Sequence, residues 1–324
     1  LFVGVLEGVR RGGRHESDGV SQKRPTILMT RVFFIVGPTA VGKSGIGAEV
    51  GRRLGADVLS ADAFQLYRGL DLLTAKADRA TRAKTPHHLV DTVPLSEEMN
   101  AEKFRASASA IIARGKPLLV VGGTGLYIKA LTHGLAPLPA GDHRLREKLE
   151  RTTDEELFRS LLTLDPAAAE KIDPRNRRRL VRAVEVCLLT GQPFSRQRTG
   201  WNEAAPSNGV LIERDRCELY ARIDRRVEEM FAAGVVAEVR AAKEIGPTAA
   251  QTLGLREIRA LIAGEISEAE CVAKIQQATR HYAKRQLTWF RRQTNFPSLN
   301  LSAHDSAEAV ELISNSAARV LTPG

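Results

Sequence analysis

The 324-residue chain has only three cysteines, Cys187, Cys217 and Cys271, widely spaced and without a C-x-x-C pair. That scarcity argues against a disulfide-stapled scaffold and against a cysteine-based zinc site, and it fits a reducing cytoplasm. No run approaches the ~20 consecutive apolar residues that a membrane-spanning helix needs, so an integral helical membrane protein is excluded. The seven histidines lack metal-ligand spacing; His87 and His88 precede an apolar stretch and read as strand-edge residues. Internal repeats are also missing. What is present is a globular balance, 43% hydrophobic and 27% charged residues, too apolar for intrinsic disorder. The length suggests about two domains, each able to bury a core. Basic residues outnumber acidic ones, 48 to 38, for a net charge of +10. Such an excess fits either a polyanionic partner or a solvated basic surface.

Residues 1–30 are rich in Gly, Arg and Ser and lack sustained periodicity. Their short apolar start precedes the basic residues, the reverse of a secretory signal, and Glu7, Glu16 and Asp18 argue against a transit peptide. The expectation is a disordered extension with Met29 as the functional start. It carries a net +2, so the charge excess belongs to the body.

From residue 31 the chain alternates between strand and helix signals. Val32–Val36 is a continuous apolar run of the kind found in buried parallel strands, and a helical pattern over 45–54 is closed by Gly55. Further strands are expected at 57–61, 88–93 and 118–121, with a helix over 101–114. That order predicts an α/β core with a parallel sheet, occupying 31–134 and 208–300. Between them, 135–207 is almost wholly helical in character and is expected to be an insertion. A short strand at 210–212 returns to the sheet. Long helices are expected over 220–244 and 267–292, the second opened by a Ser267/Glu270 capping box. Residues 301–324 are expected to form a tail, weakly amphipathic over 307–321.

Gly37-Pro38-Thr39-Ala40-Val41-Gly42-Lys43-Ser44 follows the first strand and opens the first helix. This is the G-x-x-x-x-G-K-[ST] pattern. Its glycines let backbone N–H groups close on phosphate, its lysine neutralises phosphate oxygens, and its serine can ligate Mg2+. A P-loop NTPase-like core is implied, though the loop alone does not say which phosphate compound binds. Asp62 lies just beyond the second strand, at the sheet edge where ligands of such folds lie. It is placed to ligate metal through water or to act as a general base; a strand-end turn aspartate is the plainer alternative. Gly122-Gly123-Thr124-Gly125 reaches the same edge, and Thr124 offers a hydroxyl to phosphate or metal.

In combination these residues resemble the tRNA dimethylallyltransferases, also called tRNA isopentenyltransferases. The resemblance rests on GPTAVGKS at 37–44, SADAFQLYRGLDLLTAK at 60–76, VGGTGLYIKAL at 121–131, GLAPLP at 134–139, DPRNRRRLVRAVEV at 173–186 and AKRQLTWFR at 283–291. It implies transfer of a dimethylallyl group from dimethylallyl diphosphate to N6 of the adenosine 3′ of the anticodon, in tRNAs that read codons beginning with U. Diphosphate leaves, with Mg2+ as cofactor. It further implies that Asp62 accepts the adenine amino proton, that Thr124 and Arg146 work beside the substrate, and that residues 37–44 hold the diphosphate. The tRNA anticodon stem-loop would meet Asp62, Ala63, Phe64, Gln65, Arg178, Arg179, Arg182, Gln251, Arg256, Lys284, Arg285, Trp289 and Arg291. A cytoplasmic monomer is implied.

Two departures stand out. Ala63 replaces the common serine after the aspartate, and Leu73-Thr74-Ala75-Lys76-Ala77 replaces Gly-Thr-Ala-Lys-Pro. Two runs concentrate the charge: 173–182 carries a net +4 and 280–292 a net +5. Each could be a solvated helix face, and Trp289 could be core instead of a stacking platform. Two other readings share the phosphate loop: an adenylate isopentenyltransferase acting on free nucleotides, and a small-molecule kinase with an arginine-bearing lid over 142–207.

Overall fold

The computed structural model describes residues 31–136, 138–198 and 208–322. The expected extension over 1–30, Pro137 and the end of the expected insertion at 199–207 lie outside the described residues. Six strands, β1 (Val32–Val36), β2 (Asp57–Ser60), β3 (His87–His88), β4 (Leu118–Gly122), β5 (Gly209–Glu213) and β6 (Ser298–Asn300), form one sheet in the order β3-β2-β4-β1-β5-β6. Every pairing is parallel. β1 alternates its side chains between the two faces: Val32, Phe34 and Val36 join one core cluster, Phe33 and Ile35 the other. All five are buried, which is why the run reads as continuous apolar sequence.

The helices are α1 (Lys43–Leu54), α2 (Arg79–Arg82), α3 (Ala101–Ile112), α4 (Gly125–Thr132), α5 (His143–Glu150), α6 (Asp154–Leu164), α7 (Pro166–Ala169), α8 (Arg177–Thr190), α9 (Arg216–Ala232), α10 (Val235–Ala241), α11 (Leu255–Ile262), α12 (Glu268–Gln293) and α13 (Ser306–Leu321). Residues of α3 and α4 cover one face of the sheet, and residues of α1 and α13 cover the other. Helices α5–α8 bury a separate core around Leu157, Leu161, Leu180 and Val184. A fourth cluster joins Leu70 and Leu73 to α9–α12.

Several expectations need correction. The strand expected over 88–93 shrinks to His87–His88, because Leu89 and Asp91 adopt φ of 57° and 56°, which no strand accommodates. The single helix expected over 220–244 is two helices, broken at Gly234 with φ 94°. Ser267 caps α12 by accepting from the Glu270 N–H. The region after residue 300 is not a loose tail. Ala309, Val310, Ile313, Ala317 and Leu321 of α13 are buried in the same cluster as Val41, Ile46 and Val50, so this helix backs the phosphate loop. Strand β6, unexpected from sequence, pairs with β5 at the sheet edge.

Candidate active site

The C-terminal ends of β1, β2 and β4 are neighbours in the sheet, so the three loops read from sequence converge. The backbone makes them fit closely. A Cβ on Gly122 would lie 2.3 Å from the Ala61 carbonyl oxygen, and one on Gly37 2.3 Å from that of Ile212. Thr124 caps the start of α4, yet its hydroxyl accepts the Ala63 N–H at 3.0 Å, tying the β4 loop to the residue after Asp62. The Asp62 carboxylate accepts from the Phe64 N–H at 3.0 Å and the Gln65 N–H at 3.4 Å. One of its oxygens is thus anchored to the chain, which orients the other.

The phosphate loop turns through Ala40 (φ 63°) and Gly42 (φ 113°) into the N-terminus of α1. The Lys43 ammonium donates to the Pro38 carbonyl at 2.5 Å across the loop. Burial pulls its pKa down to about 8, opposed by the Asp62 carboxylate and assisted by the Arg226 guanidinium. Gln286, on α12 and buried, bridges two loops: its carbonyl accepts the Thr39 N–H and its amide donates to the Gly123 carbonyl, both at 2.9 Å.

A cavity of about 830 Å³ opens over Thr39–Ala40, Gly42–Ser44, Asp62 and Gln65. Seven basic side chains line it (Lys43, Arg53, Lys84, Arg214, Arg222, Arg225 and Arg226) against three acidic ones. Arg222 donates to the Ala40 carbonyl at 2.9 Å and Arg214 to the Val41 carbonyl at 3.0 Å. Arg226 lies 3.3 Å from the Thr39 hydroxyl; burial lowers its pKa, which Asp62 opposes. A second chamber of about 70 Å³, lined by Phe64, Leu73, Ile223, Val227, Met230 and Ile275 among others, adjoins the first. Thr39, Asp62, Thr74 and Arg226 line both. Tyr282 also lines the small chamber, sharing a hydrogen bond with Thr124, and burial pushes its phenol well above the usual range. A hollow lined mainly by basic side chains therefore meets a small, largely apolar one at a carboxylate.

The family model for IPP transferase matches residues 65–293. A tRNA dimethylallyltransferase of Geobacter metallireducens is 43% identical over 282 residues, covering 82% of this chain and 91% of that protein. That of Akkermansia muciniphila is 40% identical, covering 86% and 96%. The crystal structure of the full-length tRNA isopentenylpyrophosphate transferase of Bacillus halodurans superposes with TM-score 0.65 at 33% identity, over 90% of this chain and 96% of that one. A eukaryotic dimethylallyltransferase structure, 24% identical with TM-score 0.72 over 88% and 79%, shares the fold. The chain belongs to the IPP transferase family.

In this IPP transferase the expected diphosphate loop, Asp62 and Gln65 share the large cavity, and Phe64 enters the small one. Arg146 and Arg182 line neither; both bind Glu185 in the helical insertion. Arg178 and Arg179 are exposed at the start of α8, Lys284 and Arg285 on α12, and Gln251 and Arg256 beside α11. Arg256 pairs with its neighbour Glu257, and Arg291 pairs with Glu213 at 2.7 Å. Trp289 is half-buried, packed against the sheet core and edge-on to Phe290, as its core reading anticipates. The sequence charge count overstates free cations: Arg177 pairs with Asp154, and Arg280 with Asp224 at 2.7 Å.

Residues at the two chambers that the sequence reading missed include Gln286, Arg226, Arg222 and Tyr282. A signal existed for two. Gln286 falls between buried Ala283 and Phe290 at helical spacing, and Arg226 adjoins Ile223, Val227 and Met230, so each is a polar residue on an apolar face. Among the described residues no cluster of three His, Cys, Asp or Glu side chains could hold a metal, and no helix is long and apolar enough to cross a membrane.

Proposed function

We propose that this chain transfers a dimethylallyl group from dimethylallyl diphosphate to N6 of the adenosine 3′ of the anticodon, in tRNAs reading codons that begin with U. The observation that carries the reading is the meeting of two unlike chambers at Thr39, Asp62, Thr74 and Arg226. The diphosphate belongs over the loop amides, Lys43 and the arginines of α9. The five-carbon tail belongs in the apolar chamber, where water is excluded from a carbon acquiring allylic cation character.

An adenine amino nitrogen is a weak nucleophile because its lone pair is delocalised into the ring. Its attack on the allylic carbon forms the N–C bond while the C–O bond breaks and the electron pair leaves with diphosphate. Asp62, anchored by two backbone N–H groups, accepts the amino proton. Lys43 and Arg226 stabilise the departing charge. Mg2+ would be held by the Ser44 hydroxyl, which lines the cavity, together with substrate phosphate oxygens, and would supply charge neutralisation there, leaving Asp62 free to act as base. A stacked base cannot reach this depth, so the adenosine is flipped out of its loop. One chain supplies every group named, so a monomer is a competent unit, and its substrate places it in the cytoplasm.

The test is incubation with Mg2+ and labelled dimethylallyl diphosphate plus tRNA, set against AMP as acceptor and against ATP with small-molecule acceptors. Label appearing on AMP alone, or phosphate transfer from ATP, refutes the reading. Asp62→Ala abolishes transfer while leaving tRNA affinity within a few-fold; a large affinity loss makes Asp62 an anchor for the base instead of a proton acceptor.

A further inference from the structure

Glu185 lies in the third turn of α8 and has no exposed surface. A buried carboxylate must be matched by donors, and this one accepts four: the Asp142 N–H at 3.0 Å, Arg146 Nε at 2.8 Å and Nη2 at 3.2 Å, and Arg182 Nη1 at 2.5 Å. Arg182 Nη2 donates in turn to the Pro139 carbonyl at 2.6 Å. One side chain thus joins the strap 139–142, α5 and α8. Asp142 is not free to compete, because its carboxylate caps α5 through the Leu145 N–H.

Two guanidiniums share this single carboxylate. Together they leave a net positive charge, and both side chains are partly exposed, Arg146 43% and Arg182 28%, Arg182 already using one terminal nitrogen on Glu185 and the other on the Pro139 carbonyl. Room is made for this. A Cβ on Gly141 would sit 2.3 Å from the Arg146 guanidinium carbon, so the glycine lets the strap pass close under the guanidinium as it is placed here. Arg178, exposed one turn before Arg182, extends the same face of α8. Neither Arg146 nor Arg182 lines the chambers, so their work is with something that extends beyond the reacting groups.

We propose that Glu185 is a positioning residue for the RNA substrate, holding Arg146 and Arg182 as a preformed pair of phosphate clamps on the insertion. This rests on the RNA-acceptor reading above. A guanidinium pinned along one edge has little side-chain entropy left to lose and presents its remaining N–H donors as a fixed fork to phosphate oxygens. Lysine keeps the charge and loses the fork.

The test uses the full chain with a labelled anticodon stem-loop, read by transfer kinetics and by anisotropy binding across a salt series. Glu185→Gln keeps shape and removes the charge that grips both forks. The expected result is a KM for the stem-loop about ten-fold higher, with kcat and the KM for dimethylallyl diphosphate within about two-fold. Adding Arg146→Ala to Glu185→Gln should raise that KM by less than about two-fold further, because Glu185 acts through the arginine. The paired substitution Arg146→Lys with Arg182→Lys, which tests the clamp if Glu185→Gln does not fold, should raise the stem-loop KM similarly. A variant set that melts lower yet binds the stem-loop as wild type does, or strictly additive effects, overturns the proposal. Wild-type protein that transfers nothing to RNA overturns the functional reading instead.

Discussion

Replacing Gln286 with leucine removes a side chain that bridges the phosphate loop and the Gly-Gly-Thr turn. Both of its bonds are 2.9 Å long, and the two partners lie in different environments. The Gly123 carbonyl contact is buried, so an unmatched oxygen there costs about 1–3 kcal/mol. The Thr39 N–H contact is partly buried, and loss of that bond costs nearer 1 kcal/mol. Gln286→Leu should therefore destabilise the fold by roughly 2–4 kcal/mol, which at a urea slope of ~3 kcal/mol per molar moves the midpoint down by about 1 M. The loop amides lose their register as well, so kcat should fall by about 100-fold, the scale expected of a displacement near 1 Å. Gln286→Glu separates the two halves. Its carboxylate still accepts from Thr39, but faces the Gly123 oxygen with no proton to donate. At pH 8 it should be as unstable as the leucine variant, and at pH 5, where the crowded carboxyl takes up a proton and can donate, part of the stability should return. Urea titrations at both pH values decide the matter. A leucine variant with an unchanged midpoint and kcat, or a glutamate variant indifferent to pH, would falsify the claim that this bridge sets the loop geometry.

Other perturbations probe other links. Because Lys43 titrates at about 8, its charge is lost as pH rises through that value, so kcat/KM for dimethylallyl diphosphate should fall roughly five-fold from pH 8 to 9. Lys43→Met should be slower throughout and flat over this range. Gly122→Ala drives a Cβ into the Ala61 backbone, with the Ala61 O, C and Cα at 2.3, 2.5 and 2.8 Å, and backbone cannot yield as a side chain does. It should yield little soluble protein, or a urea midpoint lowered by an equivalent of about 3 kcal/mol or more. Arg177→Ala breaks the ties to Asp154 and to the Glu150 and Thr152 carbonyls, at 2.6 and 2.8 Å. Amide exchange in α5 and α6 should quicken by about ten-fold, while the stem-loop KM stays within about two-fold. A large KM change there would show that the whole arginine run, paired members included, touches RNA.

Much of the candidate site was legible because its parts are local. A phosphate loop is eight consecutive residues between a strand and a helix, and Asp62 and Thr124 sit at the ends of strands whose apolar runs are plain. Parallel strands end on a common edge, so three local patterns converged without any knowledge of packing. Arg226, Arg222 and Gln286 were not legible in this way. They reach the loop from α9 and α12, far along the chain, and nothing local to them marks a phosphate. Arg226 and Gln286 leave one trace, a polar residue on an apolar helical face, which is as consistent with a buried structural hydrogen bond, and Arg222 leaves none.

The amino-acid sequence by itself determined the class of the core, the position of the phosphate loop, the carboxylate beside it and the helical character of the insertion. These follow from periodicity and from short spacings, which depend only on nearby residues. Tertiary structure alone decided which charges are free. Arg177, Arg280 and Arg291 count equally with Arg178 and Lys284 in a sequence tally, yet the first three are held by Asp154, Asp224 and Glu213. It likewise decided that 306–321 closes over α1 instead of trailing from the domain, and that an apolar chamber opens beside Asp62. Ion pairs and cavities are relations between side chains distant in sequence. Pairing changes what a charge can do without changing its identity, so only the folded arrangement distinguishes them.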